Sequence, residues 1–387
     1  MPAYEYAVIG AGAFGSWIAY CLRRRGHAVL LLDQYGPANS RASSGGESRI
    51  IRAAYGSDEV YTRMAARSLE LWPEFLTRAG AENLLHRIGV LWLAKANDTR
   101  LEHSRVALRK AGVPFEDLSP ADLRRRYPQM HLEADTIALF EPHSGALMAR
   151  QAVAAVVDQF VGDGGSYRHA AVEPVRGRNG RLTNLKTTDG DSVSADAFVF
   201  ACGPWLGKVL PDVLGELIFP TRQDVLFFGL RPGDRRFEAP QLPIWLDYTD
   251  GRGFYGFPDI ESRGFKVACD VHGPAFDPDA GNRVVSAETI VAARAYMRER
   301  FPVLADAPIV DSRVCQYENT SNGDLILDRH PDLENLWIAG GGSGHGFKHG
   351  PAVGEYMSAR VTGEAVPGME PRFLLAAKGK LKNRSVY

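Results

Sequence analysis

The chain has 387 residues, 45% of them hydrophobic and 24% charged, an ordinary balance for a globular protein with room for two full cores. A formal net charge of −1 gives no general attraction to nucleic acid or to a membrane surface, so any preference for an anion must come from locally placed cations. No apolar run approaches the ~18 residues of a membrane span, no basic-then-apolar leader is visible, and Cys21, Cys202, Cys269 and Cys315 lack metal-type spacing, so a cytoplasmic protein with free thiols and no metal is expected.

Tyr4-Glu5-Tyr6-Ala7-Val8-Ile9 reads as a buried strand running directly into Gly10-Ala11-Gly12-Ala13-Phe14-Gly15. An apolar-faced helix should follow from Ala13 to the cations Arg23-Arg24-Arg25, with Gly26 as its stop. Ala28 to Leu32 is a second strand, and Asp33 stands at its end, 18 residues after Gly15. This is the context a dinucleotide fingerprint needs. Gly10 makes the tight turn, Gly12 lets backbone approach a pyrophosphate, Gly15 permits close helix packing, and Asp33 accepts from a ribose hydroxyl. The acid disfavours a phosphorylated ribose, but the motif does not separate NAD from FAD.

The stretch Ser43-Ser44-Gly45-Gly46-Glu47-Ser48-Arg49-Ile50-Ile51-Arg52 is small and polar, then basic. If its second half is helical, Arg49 and Arg52 share a face. Two guanidiniums beside a cofactor suit a carboxylate or an anionic ring. Ser57 should cap a helix whose stripe includes Val60, Met64, Leu71, Trp72 and Phe75, and Gly89 to Leu93 reads as a strand. Ser119-Pro120-Ala121-Asp122 opens a short helix, a turn-rich joint follows at Leu139 to Gly145, and a longer helix runs through Gln151 to Val157. His143 and His169 are taken as surface or structural residues. Asp189-Gly190 signals a hairpin, and the strand Ala197 to Ala201 ends in Cys202-Gly203-Pro204-Trp205, where backbone can approach a flat group. From about Phe219 to Asp306 the chain is strand-rich, with a helix from Ala287 to Arg300. Lys378 to Tyr387 reads as a loosely held end.

Two C-terminal blocks are more specific: Val314-Cys315-Gln316-Tyr317-Glu318-Asn319-Thr320, then Gly340-Gly341-Gly342-Ser343-Gly344-His345-Gly346-Phe347-Lys348. With the fingerprint, the Ser-Arg-Ile-Ile-Arg segment and Phe257-Pro258 before Lys266, they make the chain resemble, nearly end to end, the D-amino-acid oxidase and glycine oxidase superfamily of FAD-dependent amine oxidases. Within it, the chain is most similar to the monomeric sarcosine oxidase and N-methyltryptophan oxidase group.

The resemblance implies an α/β protein of p-hydroxybenzoate-hydroxylase-like architecture, α+β in its second domain. A Rossmann-type FAD-binding domain would be assembled from residues 1–84, 144–216 and 312–387, and a mixed-sheet substrate domain from 85–143 and 217–311. It implies a monomer that oxidises a secondary amino acid, N-methylated or cyclic, by hydride transfer to FAD. Oxygen would then yield hydrogen peroxide and water would hydrolyse the imine; no nucleic acid or membrane partner is expected. A dehydrogenase of the same fold using another acceptor is the alternative.

By position, Cys315 matches the cysteine that bonds covalently to the flavin, chemistry that needs a thiolate beside cations such as Arg49. Lys266 matches the lysine that promotes the reaction with oxygen. Arg52 and Lys348 match the pair that grips the substrate carboxylate, and Tyr317 and Tyr255 match pocket aromatics. Cofactor contacts are expected from Gly10, Gly12, Gly15, Asp33, Ser43, Ser44, Arg49, Cys202, Gly203, Cys315, Gly344, His345, Gly346, Phe347 and Lys348. The chain departs from sarcosine-oxidising relatives at Gly45 and Asp270, where they carry histidines. An acid at Asp270 repels a second substrate carboxylate and attracts a distant cationic group, so a bulkier or more basic substrate is expected; His272 stands two residues on.

Overall fold

In the computed structural model, which describes residues 4–176, 180–364, 366 and 370–380, two large sheets carry the chain. The first has six strands in the spatial order Ile326–Arg329, Leu336–Gly340, Ala195–Phe200, Tyr4–Ile9, Val29–Asp33 and Ser166–His169. All neighbours are parallel except the Ile326–Arg329 edge. Parallel strands are covered on both faces, which explains their near-continuous apolar sequences. Val8, Leu31 and Val199 pack in one core with the helices Ala13–Arg24, Ala149–Gly162 and Gly350–Val361. Ile9, Leu32 and Phe200 face a second core closed by Leu206, Leu210 and Leu214.

The second sheet has eight strands: Ile309–Asn319, Phe219–Phe228, Phe265–Cys269, Phe254–Phe257, Ile244–Asp247, Val90–Lys95, Thr136–Glu141 and Glu116–Leu118. Its pairs are antiparallel except Ile244–Asp247 beside Val90–Lys95. Helix Ala287–Arg300 packs on it through Ala293, Tyr296 and Met297. The chain is therefore a mixed α/β protein, as the family resemblance implies. The strand Ile309–Asn319 straddles the residue 312 boundary expected from the sequence: it hydrogen-bonds wholly into the eight-stranded sheet, while its second half reaches the six-stranded sheet's cleft. Among the described residues no helix is long and apolar enough to cross a membrane. Of the end expected to be loosely held, residues 381–387 lie outside those described. Within it, Lys378 Nζ donates to the Arg372 carbonyl at 2.6 Å.

Two local expectations change. Arg49–Ile51 is a strand, not part of a helix, pairing with Gly145–Leu147 in a small third sheet. Isoleucines suit a pleated ladder, and the extended chain sends Arg49 and Arg52 to different neighbours. The helix Glu59–Arg78 is capped by Asp58, whose side chain accepts from Tyr61 N at 3.3 Å, rather than by Ser57. Aspartate and serine are comparable caps, so sequence alone could not rank adjacent candidates.

Glu141 closes the strand Thr136–Glu141 with a fully buried carboxyl group. It accepts from Ala53 N at 2.7 Å, Ala54 N at 3.2 Å, Trp92 Nε1 at 2.7 Å and Ser144 Oγ at 2.9 Å. The backbone just after Arg52 is thereby pinned to the eight-stranded sheet. Glu141→Leu strips four buried donors of their acceptor and should cost about 3–5 kcal/mol, read as a lowered denaturant midpoint; an unchanged midpoint would show that solvent replaces the carboxyl freely.

Candidate active site

A cleft enclosing about 1110 Å³, its open mouth included, runs along the C-terminal ends of the parallel strands. Gly10, Gly12, Asp33, Ser43, Ser44, Arg49, Cys202, Gly203, Tyr317, Gly344, Gly346 and Phe347 all line it. Gly10 has φ of 103°, and a Cβ there would collide with the Ala201 carbonyl. Gly15 lies behind the turn, where any side chain would strike Gly10 O. A Cβ on Gly12, by contrast, would stand 3.6 Å from Ser44 Oγ, so backbone is open to a phosphate-sized group there. Asp33 accepts from Ala11 N and Tyr35 N, both at 2.8 Å, which folds the loop around it. Each oxygen keeps a further lone pair for a hydroxyl. Burial raises its pKa, against the pull of those N–H groups.

At one end of the cleft three predicted residues meet. Arg49 Nη2 donates to Cys315 Sγ at 3.3 Å and also to the Ser43 carbonyl; Arg49 Nη1 donates to Ser48 O at 2.8 Å. Lys266 Nζ reaches the same Ser48, donating to its carbonyl at 3.0 Å and to Oγ at 3.2 Å, and stands 4.2 Å above the Phe257 ring. Burial and then repulsion from Arg49 lower Lys266 to about 7. Sulfur, guanidinium and ammonium thus form one chain through Ser48.

A second cluster lies beyond it. Lys348 Nζ donates to Tyr55 Oη and to the His345 carbonyl, both at 2.8 Å. Tyr55, having accepted from the ammonium, has its own proton for His349 Nε2 at 2.7 Å; His345 Nδ1 is 3.2 Å away. Burial, then the nearby Arg52, hold Lys348 well below its usual range. The Arg52 guanidinium is sandwiched 4.3 Å from the Tyr55 ring and 4.5 Å from Trp92, and donates to the Ala54 carbonyl. On the remaining side Tyr317 Oη donates to Asp270 Oδ1 at 2.9 Å, with the His272 ring edge-on to Tyr317 at 6.0 Å. Burial and then the charge of Asp270 push the Tyr317 and Tyr255 phenols up. The predicted residues are gathered, but Arg49 belongs with Cys315 and Lys266, and Arg52 with Lys348.

Residues 5–360 match the model of the DAO family, FAD dependent oxidoreductase. This chain is an FAD-dependent oxidoreductase of that family. It is 32% identical over 361 residues to human peroxisomal sarcosine oxidase, covering 92% of this chain and 91% of that one. It is 31% identical to the monomeric sarcosine oxidase of Streptomyces avermitilis, over 97% of this chain and 99% of the relative. The fold superposes on L-proline dehydrogenase from P. horikoshii with a TM-score of 0.84 at 20% identity, covering 97% and 98% of the two chains.

The residues present in the oxidoreductase fit FAD. The backbone at Gly12 stands open to a phosphate-sized group, and Asp33 lines the same cleft with acceptor capacity left for a ribose hydroxyl. Sequence reasoning missed Tyr55, Ser48, Trp92, Glu141, His349, Gln316 and Glu318. An acid ending an apolar strand flags Glu141; nothing local marks the others.

The lowered Lys266 has a measurable consequence in the apoprotein. Between about 7 and its unfolded value of 10.5 the folded chain holds fewer protons than the unfolded one, so this group makes stability rise with pH. Its cost is fully present below about 7 and vanishes above 10.5. Lys266→Met should therefore stabilise the apoprotein more at neutral pH than near pH ~10, as read by denaturant midpoints. A gain independent of pH would mean an ordinary lysine.

Proposed function

We propose that the oxidoreductase acts on CH–NH bonds of secondary amino acids, N-methylated or cyclic, and passes electrons to oxygen with release of hydrogen peroxide; the imine is then hydrolysed. The observation that carries this reading is the Cys315–Arg49–Ser48–Lys266 chain at the end of a dinucleotide cleft, together with the buried Arg52–Lys348 pair. The names of the sarcosine-oxidising relatives favour the same substrate class. Bound FAD supplies the two-electron acceptor for the carbon–hydrogen bond beside the amine.

The chain's own residues supply the rest. Arg52 and Lys348 hold the substrate carboxylate; the Arg52 guanidinium is fixed over the rings of Tyr55 and Trp92, so its fork needs little ordering. That anchor turns the reacting carbon toward the cofactor and lowers the barrier by orientation. Cys315, with Arg49 donating to its sulfur, is the covalent attachment point for FAD. Lys266 is the positive group at the oxygen-reaction site. Asp270, held by Tyr317, disfavours a second carboxylate and selects substrates with a basic or hydrogen-bond-donating distal group. Residues 1–84, 144–216 and 312–387 make up the FAD-binding domain, and 85–143 and 217–311 the substrate domain. A monomer in the reducing cytoplasm suits the free thiols at Cys21, Cys202, Cys269 and Cys315.

A peroxide-coupled screen over N-methyl and cyclic amino acids tests the activity, with bleaching of the yellow protein in the absence of air as its partner assay. Bleaching without peroxide in air identifies a dehydrogenase instead; no bleaching with any secondary amino acid sinks the substrate class. Cys315→Ala should lose its yellow colour to the supernatant on acid precipitation while the parent keeps it in the pellet, and equal loss from both removes the covalent link. Asp270→Asn should relax discrimination against N-methylated dicarboxylic acids by about tenfold or more in kcat/KM, the scale of one charge in a buried pocket; an unchanged ratio assigns specificity elsewhere.

A further inference from the structure

Arg52 follows the strand Arg49–Ile51, and Lys348 lies far later in the chain, in the turn Phe347–His349 that leads into the helix Gly350–Val361. Both cations are buried, and one side chain touches both. The Arg52 guanidinium stands 4.3 Å from the centre of the Tyr55 ring, and the Tyr55 hydroxyl accepts from Lys348 Nζ at 2.8 Å. The same hydroxyl lies 2.7 Å from His349 Nε2, so two consecutive residues of the turn clasp it. Tyr55 is itself held from both sides. Just before it, Ala53 N and Ala54 N donate to Glu141 at 2.7 and 3.2 Å; across the site, Trp72 Nε1 donates to the Lys348 carbonyl at 3.1 Å. Tyr61 stacks on the Tyr55 ring with centres 5.3 Å apart.

A buried tyrosine needs one hydrogen-bond partner for its hydroxyl, and His349 already provides it. The bond from Lys348 is additional, and it constrains the ammonium. With a second N–H on the His345 carbonyl at 2.8 Å, two of the three Lys348 protons are placed, and tetrahedral geometry fixes the direction of the third. The ring does the corresponding work for Arg52. A guanidinium held against an aromatic face keeps its plane, and its fork pairs with a carboxylate only in that plane. We propose that Tyr55 is the positioning residue of the carboxylate site, its ring setting Arg52 and its hydroxyl aiming Lys348, so that the two cations meet one carboxylate at a fixed spacing. This rests on the secondary-amino-acid reading of the site and deepens it. The two cations come from separate segments of chain, and the shared contact keeps their separation from following every small shift between those segments.

The test titrates the full-length holoenzyme with methoxyacetate, in which an ether oxygen replaces the secondary amine, and with the uncharged methoxyacetamide, each followed by the change in flavin absorbance. Tyr55→Phe keeps the ring and removes the hydroxyl. It should weaken methoxyacetate about tenfold, the scale of a hydrogen bond to a charged group, and leave methoxyacetamide within about twofold. Tyr55→Leu removes the ring as well and should cost roughly a further tenfold for the carboxylate alone. In a Lys348→Met background Tyr55→Phe should change methoxyacetate binding by no more than about twofold, whereas Tyr55→Leu should still weaken it through Arg52. Equal weakening of both probes, an unchanged methoxyacetate affinity in Tyr55→Phe, or additive losses from Tyr55→Phe and Lys348→Met overturns the proposal. A Tyr55→Phe protein that fails to fold overturns it too, since the residue is then a structural one. A parent holoenzyme that does not bind methoxyacetate defeats the carboxylate reading itself, and this inference with it; binding that ignores Tyr55 defeats only the inference.

Discussion

The register of Ile309–Asn319 against Phe219–Phe228 is the constraint on which the site depends. The ladder runs from Phe219 opposite Asn319 to Leu226 opposite Ser312, and it places Cys315 opposite Gln223. Side chains alternate across a strand, so a slip of one residue would exchange Cys315 and Tyr317 with Gln316 and Glu318. The thiol would leave Arg49, Tyr317 would leave Asp270, and a carboxyl would enter a cluster built from cations. The pairing is long and its partner strand is buried over most of its length, which gives the register a large energetic margin.

That strand is also where the two sheets meet functionally. It belongs by hydrogen bonding to the eight-stranded sheet, yet its second half lines a cleft at the ends of the parallel strands. Glu318 ties it to the turn after Leu336–Gly340 through Gly341 N and Ser343 N, by side chain and main chain respectively. Gly344, at φ of 86°, comes so near that a Cβ would stand 2.6 Å from the Tyr317 ring. The glycines of the C-terminal block are thus explained in part by the close approach of this strand, and not only by access to a cofactor.

Much of the first sheet was legible because its signals are local. An apolar strand, three spaced glycines and an acid at a strand end belong to one strand–turn–helix–strand unit, and the structure forms that unit, with Gly10 in the turn, Gly15 packed against Gly10 O and Asp33 accepting from Ala11 N. Helix Ala287–Arg300 was equally readable, with Ser286 accepting from Thr289 N. The Arg49–Arg52 segment was not. Its conformation is set by pairing with Gly145–Leu147, nearly a hundred residues away, and by Glu141 gripping Ala53 and Ala54. Ser48 became visible as a hub only once Lys266 and Arg49 were found on it. Such long-range contacts leave no period or spacing in the sequence.

The electrostatics of the site show why so much chain is spent on holding four cations. A chain with net charge −1 has acids enough to pair them, yet Lys266 donates to a serine and Lys348 to a tyrosine and a main-chain carbonyl. Neutral acceptors satisfy the hydrogen bonds without cancelling the charge. Burial then penalises each ammonium, which is the direction seen for both lysines. A carboxylate brought beside Lys348 opposes that penalty and raises its proton affinity, so carboxylate binding and protonation of this lysine strengthen each other by the same amount. A substrate carboxylate held there, as proposed, would recover the cost carried by the folded protein, and Asp270, near enough to act on Lys348, would oppose a second one.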